Sequence, residues 1–97
     1  MIEFEFEGEL VLWSGESGSW HFITLPEDLA EEINRWAGGL KGGWGSLKVD
    51  VRIGATAWKT SIFPSKSSNS FLLPVKAPVR KAEGLQAGDV VEVTLKI

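Results

Sequence analysis

The chain has 97 residues, five tryptophans and a formal net charge of −3, and it contains no cysteine. That length makes one domain, residues 1–97, around one core. The absence of cysteine excludes disulfides, thiolate metal sites and cysteine nucleophiles and fits a reducing cytoplasm. No apolar run approaches the roughly 20 residues of a spanning helix, and the opening MIEFEFEGEL has neither the basic nor the apolar region of a signal peptide.

Taken in chain order, Ile2, Phe4 and Phe6 alternate with Glu3, Glu5 and Glu7. Period two with one charged face predicts a half-buried strand. The alternation resumes after Gly8 through Leu10 and Leu12, which makes Gly8 a candidate bulge. Ser14 to Ser19 reads as a turn, and Trp20 to Leu25 as the returning strand of a hairpin. Pro26 suits the first helical position, and Glu27 and Asp28 suit the positive end of the helix dipole. Leu29, Ile33 and Trp36 recur at helical spacing, so Trp36 is expected in the core, and Gly38-Gly39 ends the helix.

A glycine-rich loop follows, LKGGWGS, with Trp44 inside it. Leu47 to Ile53 alternates cleanly, Gly54-Ala55 forms a tight turn, and Thr56 to Phe63 pairs back as a hairpin. PSKSSNS is a polar loop and Phe71 to Val75 the next strand. Pro78 to Glu83 reads as a short helix stopped by Gly84. Gly88-Asp89 turns the chain into a last strand to Ile97. The phrase strand, Leu-Pro, helix, turn occurs twice, at Leu25-Pro26 and at Leu73-Pro74. Six or seven strands with two short helices and an approximate two-fold repeat predict a mainly β fold. The expected architecture is a small closed barrel, plugged at its ends by the helices. Closure within one chain favours a monomer, with a homodimer as the alternative.

Catalytic patterns are sparse. His21 is the only histidine and has no partner for a metal site. It also stands in no nucleophile motif. Asp89, after Gly88, is better explained by bonding backbone N–H groups of its own turn. No cofactor or metal is expected, and the chain is expected not to be an enzyme. The tryptophans are expected mostly to build the core, with Trp44 the one in part exposed. The basic residues carry more information. Residues 1 to 32 hold nine acids and no Lys or Arg, while all ten basic residues follow. Among those, Lys59 and Ser61 share a strand face, and Lys76, Arg80 and Lys81 surround the second helix, with Lys66 in a loop. Lys59, Ser61, Lys76, Arg80, Lys81 and Trp44 are the candidate ligand-binding residues, of a kind that holds phosphate or carboxylate.

Several phrases together resemble a known family. These are Trp20-His21-Phe22 with Leu25-Pro26, Gly43-Trp44-Gly45, Thr56 through Pro64, Leu73 through Lys76, Val79 through Ala82, and Gly88-Asp89. In that order they look like a small bacterial domain-of-unknown-function family, which in some proteins is joined to bacteriocin-protection or OmpD-associated domains. The resemblance implies a compact β-barrel and no established activity. A second, local resemblance covers Pro74 to Val93. VRKAEGLQAGDVVEV is similar to the half-barrel of AbrB/SpoVT-type regulators and MazE-type antitoxins, implying an AbrB-like double-split barrel. The function expected is a non-catalytic, cytoplasmic binding module for a small anionic ligand or a protein partner. The alternative is a nucleic-acid-binding regulator, against which the acidic first third counts, because phosphate needs Lys and Arg.

Overall fold

The structure is a computed structural model that describes residues 2–16, 18–37, 45–65 and 68–97. Its elements follow one another as β1 (Glu3–Gly15), β2 (Gly18–Thr24), α1 (Glu27–Ala37), β3 (Leu47–Ile53), β4 (Thr56–Ser65), β5 (Ser70–Pro74), α2 (Ala77–Glu83) and β6 (Val90–Lys96). All neighbours pair antiparallel, and the strands close in the order β1-β2-β5-β4-β3-β6. A closed barrel has no free edge to offer another chain.

Two long strands make closure possible by changing partner midway. β1 pairs with β6 from Glu3 to Glu9, then with β2 from Leu10 to Gly15. β4 pairs with β3 from Thr56 to Ile62, then with β5 from Phe63 to Ser65. The barrel therefore has two walls that share β1 and β4. Gly8 lies just before the crossing in β1. The register with β6 runs through it without interruption, Gly8 opposite Val91, so it is not a bulge. It is glycine because the strand passes against the Ile23 side chain, into which a Cβ would run.

The two-fold repeat is present in the topology. Exchanging β1-β2-α1-β3 with β4-β5-α2-β6 reproduces the same ring of neighbours. Superposing the helix starts, Glu27 on Ala77, puts Leu25 on Val75 and Ile23 on Leu73. The hydrogen bonds agree, since Leu25 N donates to Phe71 O (3.0 Å) and Val75 N donates to His21 O (2.9 Å). Leu25-Pro26 thus corresponds to Val75-Lys76 and not to Leu73-Pro74 as the repeated dipeptide suggested. Pro26 immediately precedes its helix, whereas Pro74 still lies in β5, opposite Phe22.

The core fills the barrel with Leu10, Ile23, Ile62, Leu73 and Leu95, all fully buried. α1 adds Leu29, Ala30 and Ile33, and α2 adds Val79. Trp36 is 62% exposed, against expectation. Helical spacing put it on the apolar face, but burial along α1 ends at Ile33, and Asn34, Arg35 and Trp36 are exposed. Gly84 ends α2 in the left-handed region (φ 63°, ψ 38°), and Leu85 N bonds back to Arg80 O at 2.9 Å. This is a Schellman closure, and Leu85 then packs on the core. Asp89 serves its own turn, since its Oδ2 accepts from Gln86 N at 2.8 Å. No helix among the described residues is long and apolar enough to cross a membrane.

α2 is tied to the β3–β4 hairpin by one side-chain bond. Thr56 Oγ1 donates to Glu83 Oε2 at 2.6 Å, beside the Gly54-Ala55 turn (Gly54 φ 58°). Glu83→Ala is expected to cost about 1 kcal/mol, a hydrogen bond to a charged group at a half-buried site. Urea unfolding checks it, and an unchanged midpoint would show that the bond holds nothing.

Candidate functional site

The expected ligand residues fall in two places. Lys59 and Ser61 lie on the outer face of β4, where Lys59 stands opposite Asp50 and Ser61 opposite Lys48. Asp50 also stands opposite Lys96 on β6, so one carboxylate sits between two lysines on the same sheet face. These groups line a shallow groove of about 450 Å³. Lys96 is further engaged with Glu3 at 3.6 Å. The face is thus charged in both signs, which suits solvated cross-strand pairs.

Lys76, Arg80 and Lys81 belong to the other place, around α2. Lys76 is the residue before the helix and Lys81 is exposed. Arg80 is half-buried. Its Nε donates to Val75 O at 3.1 Å, and its Nη1 lies 3.5 Å from His21 Nε2. The fixed fork of the guanidinium holds more donors than these two contacts use. Among the described residues no carboxylate pairs with it; the ion pair found there is Lys96–Glu3. Trp44 and Lys66 lie outside the described residues.

A third feature escaped sequence reasoning. The wall of β1, β2, β5 and β4 is apolar on its outer face as well as its inner one. Trp13 stands opposite Trp20, Val11 opposite Phe22, Phe22 opposite Pro74, and Phe63 opposite Leu72. Cross-strand partners share a sheet face, so these side chains form one surface. Trp13 is 51% exposed, Trp20 56% and Phe63 45%. Together with His21 they line a groove of about 380 Å³. The Trp13 ring lies over Gly15, where a Cβ would meet it. Of the four described tryptophans, only Trp58 packs against the core, which corrects the expectation that the indoles build it. The signal was present in VLW, HFI, IFP and FLLP, where apolar residues occupy both alternations. A barrel with one interior needs only one of the two. The other wall alternates, with Glu3, Glu5 and Glu7, Lys48, Asp50 and Arg52, and Glu92, Thr94 and Lys96 outside, and exposed Val90 at the start of β6 the apolar exception.

Among the described residues no three His, Asp or Glu side chains gather in a way that could hold a metal ion. The model of one protein family, a domain of unknown function termed DUF1905, matches residues 6–95. The chain belongs to the DUF1905 family. The match spans both halves of the barrel, from β1 to β6, so the whole two-fold unit is one DUF1905 domain. No curated protein matched the sequence. In this DUF1905 domain the tryptophan-rich hairpin β1–β2 and the β4–β5 wall next to it both fall inside the matched residues.

Proposed function

We propose that this domain is a non-catalytic binding module and that its binding face is the outer surface of the β1-β2-β5-β4 wall. One observation carries the reading: Trp13, Trp20, Phe22, Phe63, Leu72 and Pro74 line one groove on a wall whose inner face already supplies the core. Contiguous exposed apolar surface costs solubility and is kept where something binds. A volume of about 380 Å³ lies at the small end of small-molecule sites. Trp and Phe supply flat faces on which a ring can stack, at little cost in side-chain ordering. Lys59 and Ser61 take no part, because they lie on the opposite wall beside Asp50.

The test is fluorescence titration with N-phenyl-1-naphthylamine, a neutral aromatic probe. Saturable uptake is expected, weakened about tenfold or more by Trp20→Ser with Phe63→Ser, two exposed positions whose loss leaves the core intact. Absence of saturable uptake by the unaltered domain overturns the reading. So does equal uptake by the double variant, which would place the probe elsewhere.

A further inference from the structure

The internal two-fold allows each end of the barrel to be compared with the other. The superposition that puts Leu25 on Val75 also puts Phe71 on His21 and Ala30 on Arg80. At the α1 end these positions are apolar and closed, with Phe71 and Ala30 both buried. At the α2 end they are polar and half-buried, and Arg80 Nη1 lies 3.5 Å from His21 Nε2. The equivalent carbonyls before the two helices differ as well. Leu25 O accepts from Ser70 Oγ at 2.6 Å, whereas Val75 O accepts from Arg80 Nε at 3.1 Å. A hydroxyl is enough to satisfy such a carbonyl, so the guanidinium exceeds what the fold needs there. Strand alternation sends the His21 side chain to the Ile23 side of β2, away from Trp20 and Phe22. The pair therefore lies at the mouth of the barrel, apart from the outer groove. Leu12 stands opposite His21 on the inner alternation with Leu10, yet it is 46% exposed, so the interior reaches solvent at this end.

Arg80 carries a charge that nothing described neutralises. No described carboxylate lies within ion-pair distance of it, although the chain has more acids than bases. Its Nη2 has no partner among the described residues. Lys76 is exposed and stands one helical turn earlier, since Arg80 N donates to Lys76 O at 3.1 Å. Two cations one turn apart repel each other, and a bound dianion relieves that repulsion. We infer that this mouth binds a small phosphate monoester, its phosphate on Arg80 and Lys76 and its organic part against Leu12. A guanidinium held by Nε presents its remaining N–H groups as a planar fork, which matches two phosphate oxygens. A carboxylate would answer only one of the two charges. His21 is a positioning residue, because its Nε2 holds Nη1 and so sets the direction of the fork. This site is separate from the proposed outer binding face and does not rest on it.

Calorimetric titration with phenyl phosphate, inorganic phosphate and benzoate tests it, at constant ionic strength and about pH 8, where a phosphate monoester is a dianion. Phenyl phosphate is expected to bind saturably, about fivefold or more tightly than inorganic phosphate, because its ring covers Leu12. It is expected to exceed benzoate by about tenfold or more, because benzoate carries one charge. Arg80→Gln is expected to lower phenyl phosphate affinity about tenfold or more, and Lys76→Gln to remove most of the preference over benzoate. His21→Phe, which copies the other half, is expected to weaken binding, and His21→Gln, which keeps an acceptor for Nη1, to restore most of it. Trp20→Ser with Phe63→Ser is expected to leave phenyl phosphate binding unchanged, and its loss there would move the ligand to the outer groove and overturn this site. No saturable binding by the unaltered domain overturns it too. Equal affinity for phenyl phosphate and benzoate overturns the phosphate class, and equal affinity for phenyl phosphate and inorganic phosphate overturns the ester. Undiminished binding by folded Arg80→Gln overturns the assignment of Arg80. If that variant does not fold, Lys76→Gln, at an exposed position, decides together with the three probes.

Discussion

Leu73→Ala is expected to lower stability by about 3–4 kcal/mol, the range for deleting a fully buried leucine from a packed core. Leu73 has no exposed surface and stands opposite Ile23, equally buried, at the pair through which the two-fold relation of the barrel passes. Every strand of the β2–β5 contact depends on this point, because that ladder is only three residue pairs long. A domain of this size has roughly 5–15 kcal/mol of total stability. The loss is thus a large share of it, and the thermal midpoint should fall by about 12–30 °C at roughly 4–8 °C per kcal/mol. Ile23→Ala should cost a similar amount, and the double variant less than the sum, because the two share one cavity. Thermal and urea unfolding measure all three. A loss under about 1 kcal/mol for Leu73→Ala would mean that the centre of the barrel is not packed as described.

Gly8→Val is expected to cost about 2–3 kcal/mol by overpacking. Gly8 is not in the left-handed region, so its backbone would accept any residue. A side chain in a strand would ordinarily stabilise it relative to glycine. Here the Ile23 side chain occupies the place of the missing Cβ, and β1 cannot move away because it is crossing from one wall to the other. The sign of the substitution therefore depends on Ile23. In the Ile23→Ala background, Gly8→Ala should be neutral or stabilising, and in the native background destabilising. A double-mutant cycle by urea unfolding reads this coupling directly. Independent effects at the two positions would rule out the collision as the cause.

Much of the barrel was legible in local pattern. Period-two alternation located the strands, and Gly54-Ala55, Gly84 and Gly88-Asp89 located the turns, because those backbone angles depend on neighbouring residues alone. The near-repeat of strand, helix and strand pointed to an internal two-fold, and the topology has it. The register of the repeat was misread. Leu73-Pro74 copies the letters of Leu25-Pro26 but occupies the strand, and only the hydrogen bonds from Val75 to His21 and from Leu25 to Phe71 fix the correspondence.

By itself the sequence determined a mainly β fold with two helices, its turns, and the charged face of one wall. These follow from periodicities that a residue's neighbours in the chain set. Only the tertiary structure decided which apolar side chains were surplus to the core. Trp13, Trp20, Trp36 and Phe63 are as apolar in the sequence as Leu10 or Ile62, and nothing local distinguishes them. Burial requires an element on the far side, and the closed barrel has one interior. Once Leu10, Ile23, Ile62 and Leu73 have filled it, the side chains on the other alternation of the same strands must face outward. The position of Arg80 has the same origin. Its neighbours in sequence are Val79 and Lys81, but its partners are a carbonyl at the end of β5 and a ring nitrogen on β2, brought together because α2 folds back over the barrel's end.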